Sequence, residues 1–149
     1  MTGTDGTDPA LRESAIRLLA RREHARAELV RKLGQRGWTD DAIQEVVREL
    51  AGEGLQSDER FAESFVRSRV ARDYGPLRIR SELGQRGIDR ALAERSLEAA
   101  DVDWHRLARD WYQRKYPDSP ADARERSRRM QALNRRGFSA EHFRWLFQD

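Results

Sequence analysis

Leu33-Gly34-Gln35-Arg36-Gly37-Trp38 recurs as Leu83-Gly84-Gln85-Arg86-Gly87-Ile88 and, more loosely, as Leu133-Asn134-Arg135-Arg136-Gly137-Phe138. Each return comes fifty residues after the last. Two equal intervals, with an apolar residue after the glycine each time, mark an internal repeat, and a repeat decides the architecture. A glycine closing a run of helix formers reads as the left-handed C′ position, with the next residue folding back on C3. That pairs Trp38 with Leu33, Ile88 with Leu83 and Phe138 with Leu133. The residues that follow, Thr39, Asp89 and Ser139, are good N-caps. Each copy therefore ends one helix and begins the next. Its leucine, glycine and apolar residue are structural, and its arginine is left over.

Outward from these corners the chain divides into a polar tail, 1–8, and three units, 9–56, 57–100 and 101–149. In the first, Leu11, Ala15, Ile16, Leu18 and Leu19 make a helical stripe after Pro9. Glu23-His24-Ala25 breaks it. A second helix carries Leu29, Val30 and Leu33, and a third carries Ile43, Val46, Val47 and Leu50, stopping at Gly52 and Gly54. In the second unit Ser57 caps a helix with Phe61, Ala62, Phe65, Val66 and Val70 on one face. After Tyr74-Gly75-Pro76 come Leu77, Ile79 and Leu83, then Leu92, Ala93, Leu97 and Ala100. In the third, Asp103 caps a helix with Trp104, Leu107, Ala108 and Trp111. Ser119-Pro120 reads as the start of a long arginine-rich helix with Ala123, Met130 and Leu133, and a last helix holds Phe143, Leu146 and Phe147. The expectation is an all-α chain of three tandem three-helix repeats and no strand. A unit of roughly 45 residues is near the lower limit for an independent core, so neighbours are expected to support one another. Gly34 and Gly84 each cost about 1 kcal/mol against alanine inside a helix, less in a last turn.

The composition fits such an array. The chain of 149 residues is 38% hydrophobic and 37% charged, with a mean hydropathy of −0.93. That is polar for a compact globule and suits an elongated object rich in surface. There is no cysteine, which excludes thiol chemistry and disulfides and suits the cytosol. No apolar run approaches a membrane span and no secretory leader is visible. His24, His105 and His142 lack metal-ligand spacing, and no phosphate loop or nucleophile motif occurs. No cofactor is expected, and the sequence makes no case for an enzyme.

The net charge of +3 hides segregation. The middle helices of the three units hold nearly half of the 29 basic residues and few of the 26 acidic ones. The third helix of unit one is the reverse, with Asp40, Asp41, Glu45, Glu49 and Glu53 against Arg48. If the units stack in register, Arg36, Arg86 and Arg136 fall at equivalent points of a basic track. Arginines at helix C-termini also complement the macrodipole and need no partner. That explains less of Arg124, Arg126, Arg128 and Arg129, which lie inside a helix and repel one another. The candidates to face an anionic partner are Arg31, Lys32, Arg36, Arg78, Arg80, Arg86, Arg124, Arg128, Arg129, Arg135 and Arg136.

In unit two the run Leu55…Asp58-Glu59-Arg60-Phe61-Ala62…Phe65-Val66-Arg67-Ser68-Arg69…Gly75…Ile79…Leu83…Gly87-Ile88 resembles the central signature of the RecX family of bacterial recombination regulators. Leu18-Leu19-Ala20-Arg21-Arg22-Glu23-His24…Glu28-Leu29…Lys32-Leu33 resembles that family's first repeat. The likeness covers nearly all of the chain after the tail and is weaker in unit three, where Asn134 and the Pro117–Pro120 break depart from the repeat. It implies a curved, elongated array that binds the RecA filament, lies in its groove, inhibits its ATPase, strand-exchange and co-protease activities, and binds single- or double-stranded DNA weakly and without sequence preference. A cytoplasmic monomer is expected. Two rivals are a helix–turn–helix DNA-binding protein, which would show sequence-specific protection of a duplex, and a purely protein-binding helical scaffold, which charge reversal at Arg128, Arg129 and Arg136 would leave unchanged.

Overall fold

The structure, a computed structural model, describes residues 8–148. The expected tail lies outside these residues, apart from Asp8, which is the N-cap of the first helix: its carboxylate accepts from the Ala10 N–H at 2.8 Å. Among the described residues there are nine α-helices, a closing 3₁₀ turn and no strand. Unit one holds α1 (Pro9–Arg21), α2 (Arg26–Gly34) and α3 (Asp40–Gly52). Unit two holds α4 (Asp58–Ala71), α5 (Pro76–Gln85) and α6 (Arg90–Ala99). Unit three holds α7 (Trp104–Lys115), α8 (Ala123–Arg136) and α9 (Ala140–Phe143), followed by the 3₁₀ turn Arg144–Phe147.

The caps follow from side-chain chemistry. Thr39, Ser57, Asp89 and Asp103 each accept the N–H three residues on, satisfying a donor that the helix itself cannot. Two elements differ from expectation. α8 begins at Ala123, capped by Asp122 through the Glu125 N–H, and not at Ser119-Pro120. An aspartate three residues before a glutamate is the stronger start, because Glu125 also reaches back to the Ala121 N–H. The last helix is one α turn and then a 3₁₀ turn. The tightening keeps Phe143 and Phe147 both buried, their rings edge to face at 6.3 Å.

The corners form as the repeat requires. Gly37, Gly87 and Gly137 have φ of 96°, 85° and 104°. Each glycine N–H donates to the carbonyl three residues back. In units two and three the next residue completes the motif: Ile88 donates to Leu83 and Phe138 to Leu133, both at 3.1 Å. Trp38 makes no such bond and stays half-buried, whereas Ile88 and Phe138 are buried. Among the described residues no other unit presses on the corner of unit one.

Three cores result, one per unit. Leu11, Leu29, Leu33, Ile43 and Leu50 centre the first. Phe61, Phe65, Ile79, Leu83 and Ile88 centre the second. Tyr112, Leu133, Phe138, Phe143 and Phe147 centre the third. Each such fully buried side chain contributes about 1.5–3 kcal/mol. Helix–helix packing is concentrated within the units, so the chain is an elongated array joined at corners. Ala25 crosses into the second core, and Trp104 packs against both the second and the third. No described helix is long and apolar enough to cross a membrane.

Candidate binding surface

The middle helices end where the units meet, so their arginines are sorted by the two joints. At the first joint, Gly87 lies against α2: a Cβ built on it would meet the Ala27 Cβ at 2.5 Å. The N–H groups that open α2 find carboxylates. Ala25 N–H donates to Glu28 at 3.0 Å, and Arg26 N–H donates to Asp58 of unit two at 2.7 Å. Alanine cannot return the bond, so this is half of a capping box. Glu28 is buried and also takes both Nη atoms of Arg22, at 2.8 and 3.0 Å. Arg86 of unit two approaches it to 3.9 Å and lies over the Phe65 ring. Burial pulls the Glu28 carboxyl upward, but Arg22 and the Ala25 N–H outweigh it, and the group sits below the usual carboxylate range. Buried Gln56 donates to the His24 carbonyl, and Arg60 pairs with Glu23.

His24 is buried beneath this joint. Its Nδ1–H donates to the Arg22 carbonyl, and its Nε2 accepts from Lys32 Nζ at 3.0 Å. Only the neutral ring can do both. Burial first, then Arg22 and Lys32, hold His24 below the ordinary histidine range. Lys32 is likewise lowered, by burial and then by Arg22.

The second joint is built from backbone. α8 ends head-on against the start of α5. Gly75 N–H donates to the Arg136 carbonyl at 2.7 Å, and Leu77 N–H donates to the Gly137 carbonyl at 3.0 Å. The orphan carbonyls at the end of one helix thus satisfy orphan donors at the start of another. Arg78 and Arg136 both stack on Tyr74, at 4.0 and 4.5 Å from its centroid, and Arg136 also lies over Trp111. Arg136 donates to the Arg72 and Asp73 carbonyls, and Arg114 pairs with Asp73 at 2.6 Å.

Arg36, Arg86 and Arg136, the arginines of the expected basic track, differ in their partners. Arg86 and Arg136 turn into the joints, while Arg36 donates to Ser14 of its own α1 at 2.6 Å. Arg80 is paired with Glu94, and Arg78 with Glu82, which also takes Arg69. Arg129 is buried: it donates to Tyr112 Oη, the Asp118 carbonyl and Glu125, and pins the 117–122 connection. Of the candidates named from the sequence, only Arg31, Arg124, Arg128 and Arg135 are exposed with no side-chain hydrogen bond or ion pair among the described residues. Arg135 lines a polar groove between α5 and α8 with Arg78, Ser81, Gln85 and Asn134.

Sequence reasoning missed Glu28, Gln56, Asp73 and Tyr74 as joint residues. Only their position at the breaks between first and middle helices, or between units, could have pointed to them.

Comparison with known proteins follows this geometry unit by unit. Residues 12–50, 57–97 and 101–145 match the family descriptions "RecX, first three-helix domain", "second three-helix domain" and "third three-helix domain". The chain is 47% identical over 142 residues to the "Regulatory protein RecX" of Pseudomonas entomophila, covering 95% of this chain and 92% of that one. It is 47% identical over 145 residues to the protein of the same name from Halorhodospira halophila, covering 97% and 90%. A crystal structure of RecX from Lactobacillus salivarius superposes with a TM-score of 0.78 at 26% identity, covering 93% of each chain.

Proposed function

The chain belongs to the RecX family of regulatory proteins, and from that premise we propose that it binds the RecA filament and restrains its ATPase, strand-exchange and co-protease activities. It acts as a regulator of recombination and repair in the cytoplasm, as a monomer and without catalysis or cofactor. The observation that carries the mode of action is the sorting of the arginines. Arg60, Arg78, Arg86, Arg114 and Arg136 tie one unit to the next, which supports a stiff array able to span neighbouring filament subunits. Arg31, Arg124, Arg128 and Arg135 are left free to meet phosphates or acidic protein surface. Contacts of this kind are weak, sequence-blind and steeply salt-dependent on DNA.

A helix–turn–helix reading is disfavoured by charge. α3, in the place of a recognition helix in unit one, exposes Asp40, Asp41, Glu45 and Glu53, with Arg48 the one exposed cation on it. Such a face is repelled from a major groove.

The test is RecA ATPase on single-stranded DNA with substoichiometric protein. Inhibition is expected, and the variant Arg124→Glu/Arg128→Glu/Arg135→Glu is expected to need at least tenfold more protein for the same effect. Undiminished ATPase at every ratio of the unmodified chain overturns the reading.

A further inference from the structure

The middle helices run head to tail. The end of α8 abuts the start of α5, and Gly87, just past the end of α5, lies against Ala27 at the start of α2. Positions fifty residues apart on them are exposed alike: Arg31, Ser81 and Gln131, then Gly34, Gly84 and Asn134, then Gln35, Gln85 and Arg135. On α8 this face is fullest. Arg124, Ser127, Arg128, Gln131, Asn134 and Arg135 are all exposed and share one side of the helix, at i, i+3, i+4, i+7, i+10 and i+11. They run for about 16 Å along its axis. Across the joint, Asn134 and Arg135 line one polar groove with Ser81 and Gln85 of α5, so the face continues from one helix onto the next.

Two features of this face decide what it fits. Acid is kept off it. Each middle helix has one glutamate, none of the three is exposed, and each is held by arginine: Glu28 by Arg22, Glu82 by Arg69 and Arg78, Glu125 by Arg129. Exposed carboxylates lie instead on outer helices, as at Asp40 and Asp41 of α3 or Glu59 and Glu63 of α4. Aromatic rings are also absent, since α2, α5 and α8 contain none. Arginines without partners, set among serine, glutamine and asparagine, are the donors that meet phosphate oxygens and groove edges. A single strand is gripped by stacking its bases on aromatic side chains, and this face has no ring to offer. Charge and composition together therefore fit a duplex.

We propose that the exposed face of α8, continued along α5 to α2, is a binding site for the phosphate backbone of double-stranded DNA. Arg124, Arg128 and Arg135 hold phosphates, with Ser127, Gln131 and Asn134 bonding beside them. α5 has no unpaired cation on this face, because Arg78 and Arg80 are tied to Glu82 and Glu94. It guides the duplex past Ser81, Gly84 and Gln85 toward Arg31. Nothing lies within 4 Å of a Cβ on Gly84, so the backbone of the duplex can close on a bare stretch of helix. The assignment deepens the reading above, in which the four arginines meet phosphate or acidic protein, by giving them to phosphate.

The experiment is fluorescence anisotropy of a labelled mixed-sequence duplex titrated with the full chain over a series of salt concentrations, without RecA. The single strand of the same length is the second probe. The variant Arg124→Gln/Arg128→Gln/Arg135→Gln is compared with Arg48→Gln/Arg90→Gln/Arg95→Gln, which removes the same charge from exposed arginines of α3 and α6. Gly84→Glu sets an acid on the face where a side chain displaces no neighbour. Thermal unfolding accompanies each. Expected is duplex affinity at least tenfold lower in the α8 variant, with a salt slope flatter by about 0.9 for each arginine removed. Gly84→Glu should lose at least threefold and the α3/α6 variant less than twofold, with unfolding midpoints unchanged. If the α8 variant unfolds, Gly84→Glu decides. Equal losses in the two triple variants reduce binding to net charge and overturn the site. A single strand bound more tightly than the duplex overturns the choice of duplex, and an unmodified chain that binds no duplex overturns the whole assignment. With no RecA present, each of these failures leaves the proposed function standing.

Discussion

The two joints occupy the same place in the repeat and are made of different chemistry. The first is a set of side-chain charges: Glu28 with Arg22 and Arg86, Asp58 with the Arg26 N–H, Arg60 with Glu23. The second is a backbone splice, Gly75 and Leu77 N–H groups onto the Arg136 and Gly137 carbonyls, flanked by stacked guanidiniums. What the repeat preserves is the position of contact, a corner glycine against the start of the preceding middle helix. The bonds that hold the contact are free to change. A charged joint answers to pH and salt. A backbone joint answers to volume.

The three corner glycines grade this contrast, because all have positive φ but different surroundings. A Cβ at Gly137 would meet Arg78 Cβ at 2.5 Å, Arg78 N at 2.7 Å and the Gly75 carbonyl oxygen at 2.8 Å. Backbone cannot step aside, so Gly137→Ala is expected to cost more than about 3 kcal/mol. At Gly87 the obstacle is a single methyl, Ala27 Cβ, and about 2 kcal/mol is expected. At Gly37 nothing lies within 4 Å, so Gly37→Ala bears only the left-handed strain, about 1 kcal/mol. Denaturant unfolding of the three variants gives the order directly. Equal losses would reduce the glycines to turn formers and remove the joint account.

Glu28→Gln tests the charged joint. The amide keeps the shape and can still accept the Ala25 N–H, but it leaves Arg22 and Arg86 without their carboxylate. Removing one member of a buried pair is costly, here moderated because Arg22 is 44% exposed. A loss of about 2 kcal/mol is expected, with less salt dependence than the unmodified chain. Raising salt should weaken the first joint more than the second, where Arg114–Asp73 is the one ion pair between units among the described residues. Hydrogen exchange at Ala25 and Arg26 against Gly75 and Leu77 reads the two separately.

The fold was legible because its signals are local and periodic. A left-handed glycine, an apolar C″ residue and a cap recur in one short stretch, and 3.6-residue stripes flank it. The joints were not legible. Nothing in the spacing says that Arg86 meets Glu28, fifty-eight residues earlier, or that the end of α8 abuts the start of α5. Arg129 shows the limit most plainly. Among its neighbours Arg124 and Arg128 the sequence offers no reason to single it out, yet it alone of the three turns inward to Tyr112 and Asp118. Gly34 and Gly84 show it in reverse: nothing approaches either within 4 Å, so the first glycine of the repeated stretch has no packing role.

The smallest effect expected is the pH dependence that His24 gives the first joint. His24 is held neutral, facing Arg22 and Lys32 with Glu28 alongside. Its folded-state pKa lies below the ordinary value, so on acidification the unfolded chain takes up the proton first. This stability is present above about pH 6.5 and is lost as pH falls toward the lower folded-state value. The depressed carboxylates Glu28, Glu82 and Glu125 act in a separate window, losing their contribution below about pH 4.3. His142 is also lowered by burial and accepts the Ser139 N–H at 3.1 Å, so it adds a slope of the same sign from unit three. The two histidines separate by exchange: acidification from pH 7.5 to 5.5 should speed opening at Ala25 and Arg26 through His24, and at Ser139 through His142. His24→Gln should abolish only the first response, since its amide can still donate to the Arg22 carbonyl but no longer titrates. A response at Ala25 that survives His24→Gln would move the pH sensitivity away from the joint, leaving charge there without its acid switch.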